Sequence, residues 1–115
     1  MRRGTTPIVS ITVDGQNFDG FTVIATIDQN GTQISKSSSD SDEILITKNY
    51  DDEGALVSST VAVYLSQADT LAFEVGAARI QLRWINGYDE AYESDISTIS
   101  FEEVLLEGDS LWRMI

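Results

Sequence analysis

The sequence predicts an all-β fold: about seven to eight short antiparallel strands in a small sandwich or barrel. Three observations carry this. Apolar residues recur with period two rather than 3.6, β-branched Ile, Val and Thr are abundant, and turn residues return at the spacing of short strands. At 115 residues the chain is one domain, and 42% hydrophobic residues suffice for a core.

In the first apolar run Val9, Ile11 and Val13 alternate with Ser10 and Thr12. Phe21, Val23, Ala25 and Ile27 alternate with Thr22, Ile24 and Thr26, and Asp14-Gly15 and Asp19-Gly20 bracket the connection between the two. Asn30-Gly31 then marks a two-residue hairpin into Thr32–Lys36, because both residues tolerate positive φ. A short strand, Glu43–Thr47, stands between the polar loops 37–42 and 49–54. Val57 to Leu65 alternate again, with Val61 and Val63 inward. Ser66-Gln67-Ala68-Asp69 reads as one helical turn near 66–70, with Ser66 as cap and Asp69 reaching back. Gly76 is expected to break the chain before the strand Arg79–Ile85, whose inward residues are Ile80, Leu82 and Trp84. Asn86-Gly87 turns it into Tyr92–Ser97, and Ile99–Glu107 is the last strand, ended by Gly108. The expected core is Val9, Ile11, Val23, Ile27, Val61, Val63, Ile80, Leu82, Trp84 and Phe101. The expected division is a flexible N-terminal arm over 1–7, one sandwich over 8–108 and a C-terminal tail over 109–115.

Composition removes several function classes. The chain has neither cysteine nor histidine, which excludes disulfides, Cys and Ser-His-Asp triads and the usual zinc sites. Net charge is −12, from 19 acids and 7 bases, opposite to the basic footprint that nucleic acid or an anionic membrane requires. No apolar run approaches the ~20 residues of a spanning helix, and no apolar stretch follows Arg2-Arg3 as in a signal peptide. The expectation is synthesis in the cytoplasm until assembly. Phosphate-binding glycine motifs are absent, no cofactor is implied, and loops this short leave little room for a substrate cleft. An enzyme is not expected.

Acid clusters at Asp40, Asp42 and Glu43, at Asp51, Asp52 and Glu53, and at Asp89, Glu90, Glu93 and Asp95 lack calcium-loop spacing and read as solvated turns. A calcium- or carbohydrate-binding module is the alternative function, with the two tryptophans as its sugar platform. Arg79, Gln81 and Arg83 share one face of a strand, while Asp89 to Asp109 carries eight acids and no base. Two readings stand: cross-strand pairing within the sheet, or charge complementarity between subunits. The end, Leu111-Trp112-Arg113-Met114-Ile115, either covers a sheet or docks on a neighbour. The candidate interaction residues are therefore Arg2, Arg3, Arg79, Gln81, Arg83, Leu111 and Trp112.

Several stretches carry a family resemblance. Arg2-Arg3-Gly4-Thr5-Thr6-Pro7, followed by an apolar strand and the segment 22–31, resembles the opening of small virion-associated proteins of tailed phages and prophages of Gram-positive bacteria. Val63 to Phe73 resembles that family's Leu-Thr-Gln-Glu-Asp-Thr-Leu segment, Ala78 to Trp84 its Ile-Gln-x-Arg-Trp strand, and Ser94 with Ile96 to Leu106 its closing strand. The layout is similar to the N-terminal immunoglobulin-like domain of baseplate upper proteins. The resemblance implies a non-enzymatic structural or assembly module of a tail, baseplate or head-tail region. Its partners would be other virion proteins or further copies of itself, without nucleic acid or membrane, and its final location the virion. The long C-terminal extension of baseplate proteins is missing here, which favours a free-standing subunit over a receptor carrier.

Overall fold

The computed structural model describes residues 2–102. Among them are eight strands and one short helix: β1 Ile8–Asp14, β2 Phe21–Gln29, β3 Thr32–Ser37, β4 Ile44–Tyr50, β5 Leu56–Tyr64, α1 Gln67–Leu71, β6 Gly76–Asn86, β7 Ala91–Glu93 and β8 Ser97–Phe101. They form two antiparallel sheets. One has the order β1-β5-β4; the other runs β3-β2-β6, with β7 and β8 sharing the far side of β6. Read as strands B, E, D and C′, C, F, G, this is the strand order of an immunoglobulin sandwich.

Period two becomes burial. Val23, Ala25 and Ile27 of β2, Val61 and Val63 of β5, and Ile80, Leu82 and Trp84 of β6 are buried. Val9 and Ile11 are only partly buried, because β1 is an edge strand. Further buried side chains join these, two of them, Phe18 and Phe73, outside the alternation. Phe18 lies in the β1–β2 loop and closes one end of the core against Trp84, edge-on at 5.1 Å. At the other end Phe73 stacks on Phe101 at 4.8 Å. Leu65 and Ile44 complete the set at a strand end and a strand start.

Local chemistry sets the turns. Asn30 (φ 50°) and Gly31 (φ 92°) form the expected two-residue hairpin, with Gln29 opposite Thr32. Ser66 caps α1: its side chain accepts from the Asp69 N–H, and the Asp69 carboxylate accepts from the Ser66 N–H at 2.8 Å. Loop carboxylates do similar work. Asp51 accepts from the N–H groups of Glu53 and Ala55, and Asp40 from that of Asp42.

The structure corrects four expectations. Gly76 starts β6 instead of breaking the chain; it pairs with Phe101 at φ 134°, a conformation open to glycine. The expected strand 92–97 ends at Glu93, because Ser94 substitutes for the ladder: its N–H donates to the Leu82 carbonyl, and its hydroxyl accepts from the Leu82 N–H. The closing strand runs from Ser97 to Phe101, Glu102 forms a separate bridge, and residues 103–107 of the expected 99–107 strand, with the sandwich boundary at 108, lie outside the described residues. The N-terminal segment, expected as a mobile arm, is held. The Arg3 side chain donates to the carbonyls of Phe73 and Leu71, Gly4 N–H donates to Thr70 Oγ1, and that hydroxyl donates to the Thr5 carbonyl. The Pro7 carbonyl accepts from Leu65 N–H. A fully buried threonine on the helix thus ties down a stretch that looked too polar to pack.

Charge remains unbalanced around this core. Self-repulsion at −12 opposes compaction and salt screens it, so the melting temperature should rise as NaCl increases from about 10 mM to 300 mM. Calorimetry across that range checks it; a steady fall would contradict the repulsion argument.

Candidate interaction surfaces

The expected basic stripe lies on the outer face of the larger sheet, but its members have separate uses. Arg79 stands opposite Asp28 and donates to its carboxylate at 2.8 Å. Gln33, opposite Asp28 on β3, donates to the same carboxylate at 3.2 Å. The Arg79 bond, then that of Gln33, holds the Asp28 carboxyl below its ordinary value. Gln81 donates to the Ser94 carbonyl at 2.8 Å and so fastens the joint between β7 and β8. Arg83 stands opposite Glu93 and Ile24, exposed, and its side chain makes no ion pair among the described residues. For Arg79 this geometry is the cross-strand one, an exposed pair screened by solvent. Two shallow, open cavities flank Arg79: one of about 140 Å³ between Thr26, Gln81 and Ile96, and one of about 420 Å³ toward Asn30, Ala77 and Thr98.

Arg2 forms a parallel bridge with Glu102, and their side chains lie 3.7 Å apart. With Arg3 turned onto the α1–β6 connection, the two arginines reinforce the fold at the end of β8. Leu111 and Trp112 lie outside the described residues. Trp84 is buried, between Phe18 and Tyr92.

The smaller sheet was not singled out in the sequence, and its outer face is the more unusual one. Alternation places Ile8, Ser10, Thr12 and Asp14 of β1, Ser58, Thr60, Ala62 and Tyr64 of β5, and Leu45, Thr47 and Asn49 of β4 on that face. Asp14, at one end, is its single charge. Ile8 is 58% exposed and Leu45 49%; the register sets them opposite Tyr64 and Ala62, so they form one apolar patch. Beyond it Thr12 bonds Thr60 at 3.3 Å, and Asn49 donates to Ser58 and Thr60. These hydroxyls are already paired and present a flat, neutral surface. The signal in the sequence was the Ser and Thr at outward positions 10, 12, 47, 58 and 60, which resemble ordinary strand polarity until the scarcity of charges is noticed.

The four sheet edges also differ. β3 and β4 each carry an inward-facing lysine. Lys36 reaches Asp69 at 2.6 Å, and Lys48 reaches Asp19 at 2.6 Å. β4 has a register shift at Asn49/Tyr50 as well, and β7 and β8 are short pieces on either side of a break. Inward charges, bulges and short strands are devices that block strand addition. β1 has none of them: seven regular residues, uncharged before Asp14.

No three acidic side chains among the described residues converge to hold a metal ion, and no helix among them is long and apolar enough to cross a membrane. Comparisons with family models, with curated proteins and with solved structures find no match to this chain.

Proposed function

We propose that the chain is a non-enzymatic protein–protein interaction module, a structural or assembly subunit of a tailed-phage or prophage virion. The neutral outer face of β1-β5-β4 is the single observation that supports this most. On a chain of net charge −12 it is a broad surface from which charge has been kept away. Protein interfaces are depleted of acidic residues at their centre, where desolvating an unpaired charge is costly. Solubility alone gives no reason to leave Ile8 and Leu45 both exposed on one face, on either side of β5. The virion part of the proposal rests on the sequence resemblance, which names the partners to try.

The test is co-expression with the proteins encoded beside it, followed by size-exclusion chromatography. The full chain should co-elute with one of them, and Leu45→Glu with Thr47→Glu should abolish co-elution while the far-UV spectrum stays that of the parent. Unchanged co-elution of the double variant would remove the face from the interface. Melting in Ca²⁺ or in a panel of glycans should leave the transition in place; a rise that follows ligand concentration would favour the binding-module alternative, since ligand binding stabilises the fold by mass action.

A further inference from the structure

Among the described residues the strand order leaves one position open. In an immunoglobulin sandwich a first strand lies beside strand B. Here that place is beside β1, and the residues preceding β1 do not fill it. They cross instead to the other sheet, where Arg2 bridges Glu102 and Arg3 N–H donates to the Glu102 carbonyl. The first strand is reduced to that bridge.

The hydrogen-bond parity of β1 shows what the vacancy offers. Pro7 O accepts from Leu65 N–H, and Gly15 N–H donates to Val57 O. Odd-numbered residues therefore turn their main-chain groups toward β5, and Ile8, Ser10, Thr12 and Asp14 turn theirs outward. This is a row of donors and acceptors on an unblocked edge. Beside it the two sheets gape. A cleft of about 380 Å³ opens between Ile11–Asp14 and Glu93–Ser97, with Trp84 in its lining. Val9, Ile11 and Val13 are left partly buried along the same side. The charged residues lining the cleft are Asp14, Glu93 and Asp95, all acidic.

We propose that the β1 edge receives an extended strand from a partner protein, laid antiparallel to β1, with apolar residues at alternate positions and a Lys or Arg near its N-terminal end. The alternate apolar side chains would enter the cleft beside Ile11 and Val13. The basic residue would come beside Asp14, since antiparallel pairing sets the N-terminal end of the incoming strand against the C-terminal end of β1. A second copy of this chain is a poorer occupant: it brings another −12 and no base within its own β1. This inference rests on the interaction-module reading and names one partner chemistry and one edge for it.

The test uses the full chain carrying Trp112→Phe, so that Trp84 is the sole tryptophan. The probe is a soluble nine-residue peptide of alternating valine and threonine with two N-terminal lysines. Binding should be saturable, shift the Trp84 emission and raise the melting temperature with peptide concentration. A probe with two glutamates in place of the lysines should bind at least about tenfold more weakly at low salt. Ser10→Pro removes an outward N–H while sparing the ladder to β5, so it should fold and lose binding; Thr12→Pro is the second such variant should the first not fold. No binding up to about 1 mM, or equal binding by the proline variants, would overturn the proposal. So would a concentration-dependent dimer that Ser10→Pro abolishes, which would assign the edge to a second copy. Co-elution with a virion protein despite a silent probe would leave the interaction-module reading standing and this edge wrong.

Discussion

Trp84→Ala should cost about 3–5 kcal/mol, a large share of the stability of a domain this small. Trp84 is 6% exposed on β6, and two other rings meet it: Phe18 edge-on at 5.1 Å and Tyr92 nearly parallel at 6.3 Å. Removing the indole does more than leave a hole. Phe18 belongs to a loop, and its contact with Trp84 is part of what fixes that loop over the end of the core. Neither sheet can slide in to close the gap, because β6 is paired on both sides. Trp84→Phe retains a ring at the centre and should cost about half as much or less. Urea denaturation, with the slope checked against that of the parent, measures both. A loss below about 1 kcal/mol for the alanine variant would mean that Trp84 is not a core anchor.

The second large effect is expected at Asp69. Its carboxylate closes the capping box with Ser66 and bonds Lys36 Nζ at 2.6 Å, where the two side chains are only 16% and 15% exposed. Burial pushes the Asp69 carboxyl up, but the Lys36 ammonium and the two Ser66 bonds outweigh it and hold the group below its ordinary value. Asp69→Ala should cost about 2–3 kcal/mol: roughly 1 from the lost cap and the rest from a lysine left inside without a partner. Lys36→Met in the same chain should recover part of that loss, because an apolar side chain of similar length removes the stranded charge. A double variant no better than the single one would show that the cap alone matters. The sign of the pH dependence follows from the lowered carboxyls. The folded state binds protons less readily than the unfolded chain at Asp69 and Asp28. Their contribution is complete above the unfolded value near 4 and is lost as pH falls through the folded values below it. Acid titration of the Asp69→Ala variant should show a shallower decline than that of the parent.

Much of the candidate surface was written in the sequence in a form easy to misread. Arg79, Gln81 and Arg83 looked like a single stripe because they share a strand face. Their partners come from other strands: Asp28 lies 51 residues away from Arg79, and Ser94 13 residues from Gln81. Spacing along one strand carries no information about which acid the neighbouring strand sets opposite. The neutral face has the same origin. Serine and threonine at outward positions are ordinary in any one strand; only the pairing of β1 with β5 and β5 with β4 joins them into a surface whose single charge, Asp14, lies at one end.

The strands, the Asn30-Gly31 hairpin, the Ser66-Asp69 cap and eight of the ten expected core residues were determined by the sequence alone, because each depends on neighbours within a few positions: alternation, turn dihedrals and a box closed over three residues. What required the tertiary structure depends on groups distant in sequence. Thr70 anchors the chain at Gly4 and Thr5, some 65 residues away, and turns an expected free arm into part of the fold. Phe18 and Phe73 are buried from loops, where no periodicity announces them. The open edge of β1 is the clearest case. Its seven residues read as one more strand, and only the placement of the preceding segment against β8 leaves their outward main-chain groups without a neighbour among the described residues. Backbone groups are alike in every strand, so whether they are paired is decided by the packing of the whole chain.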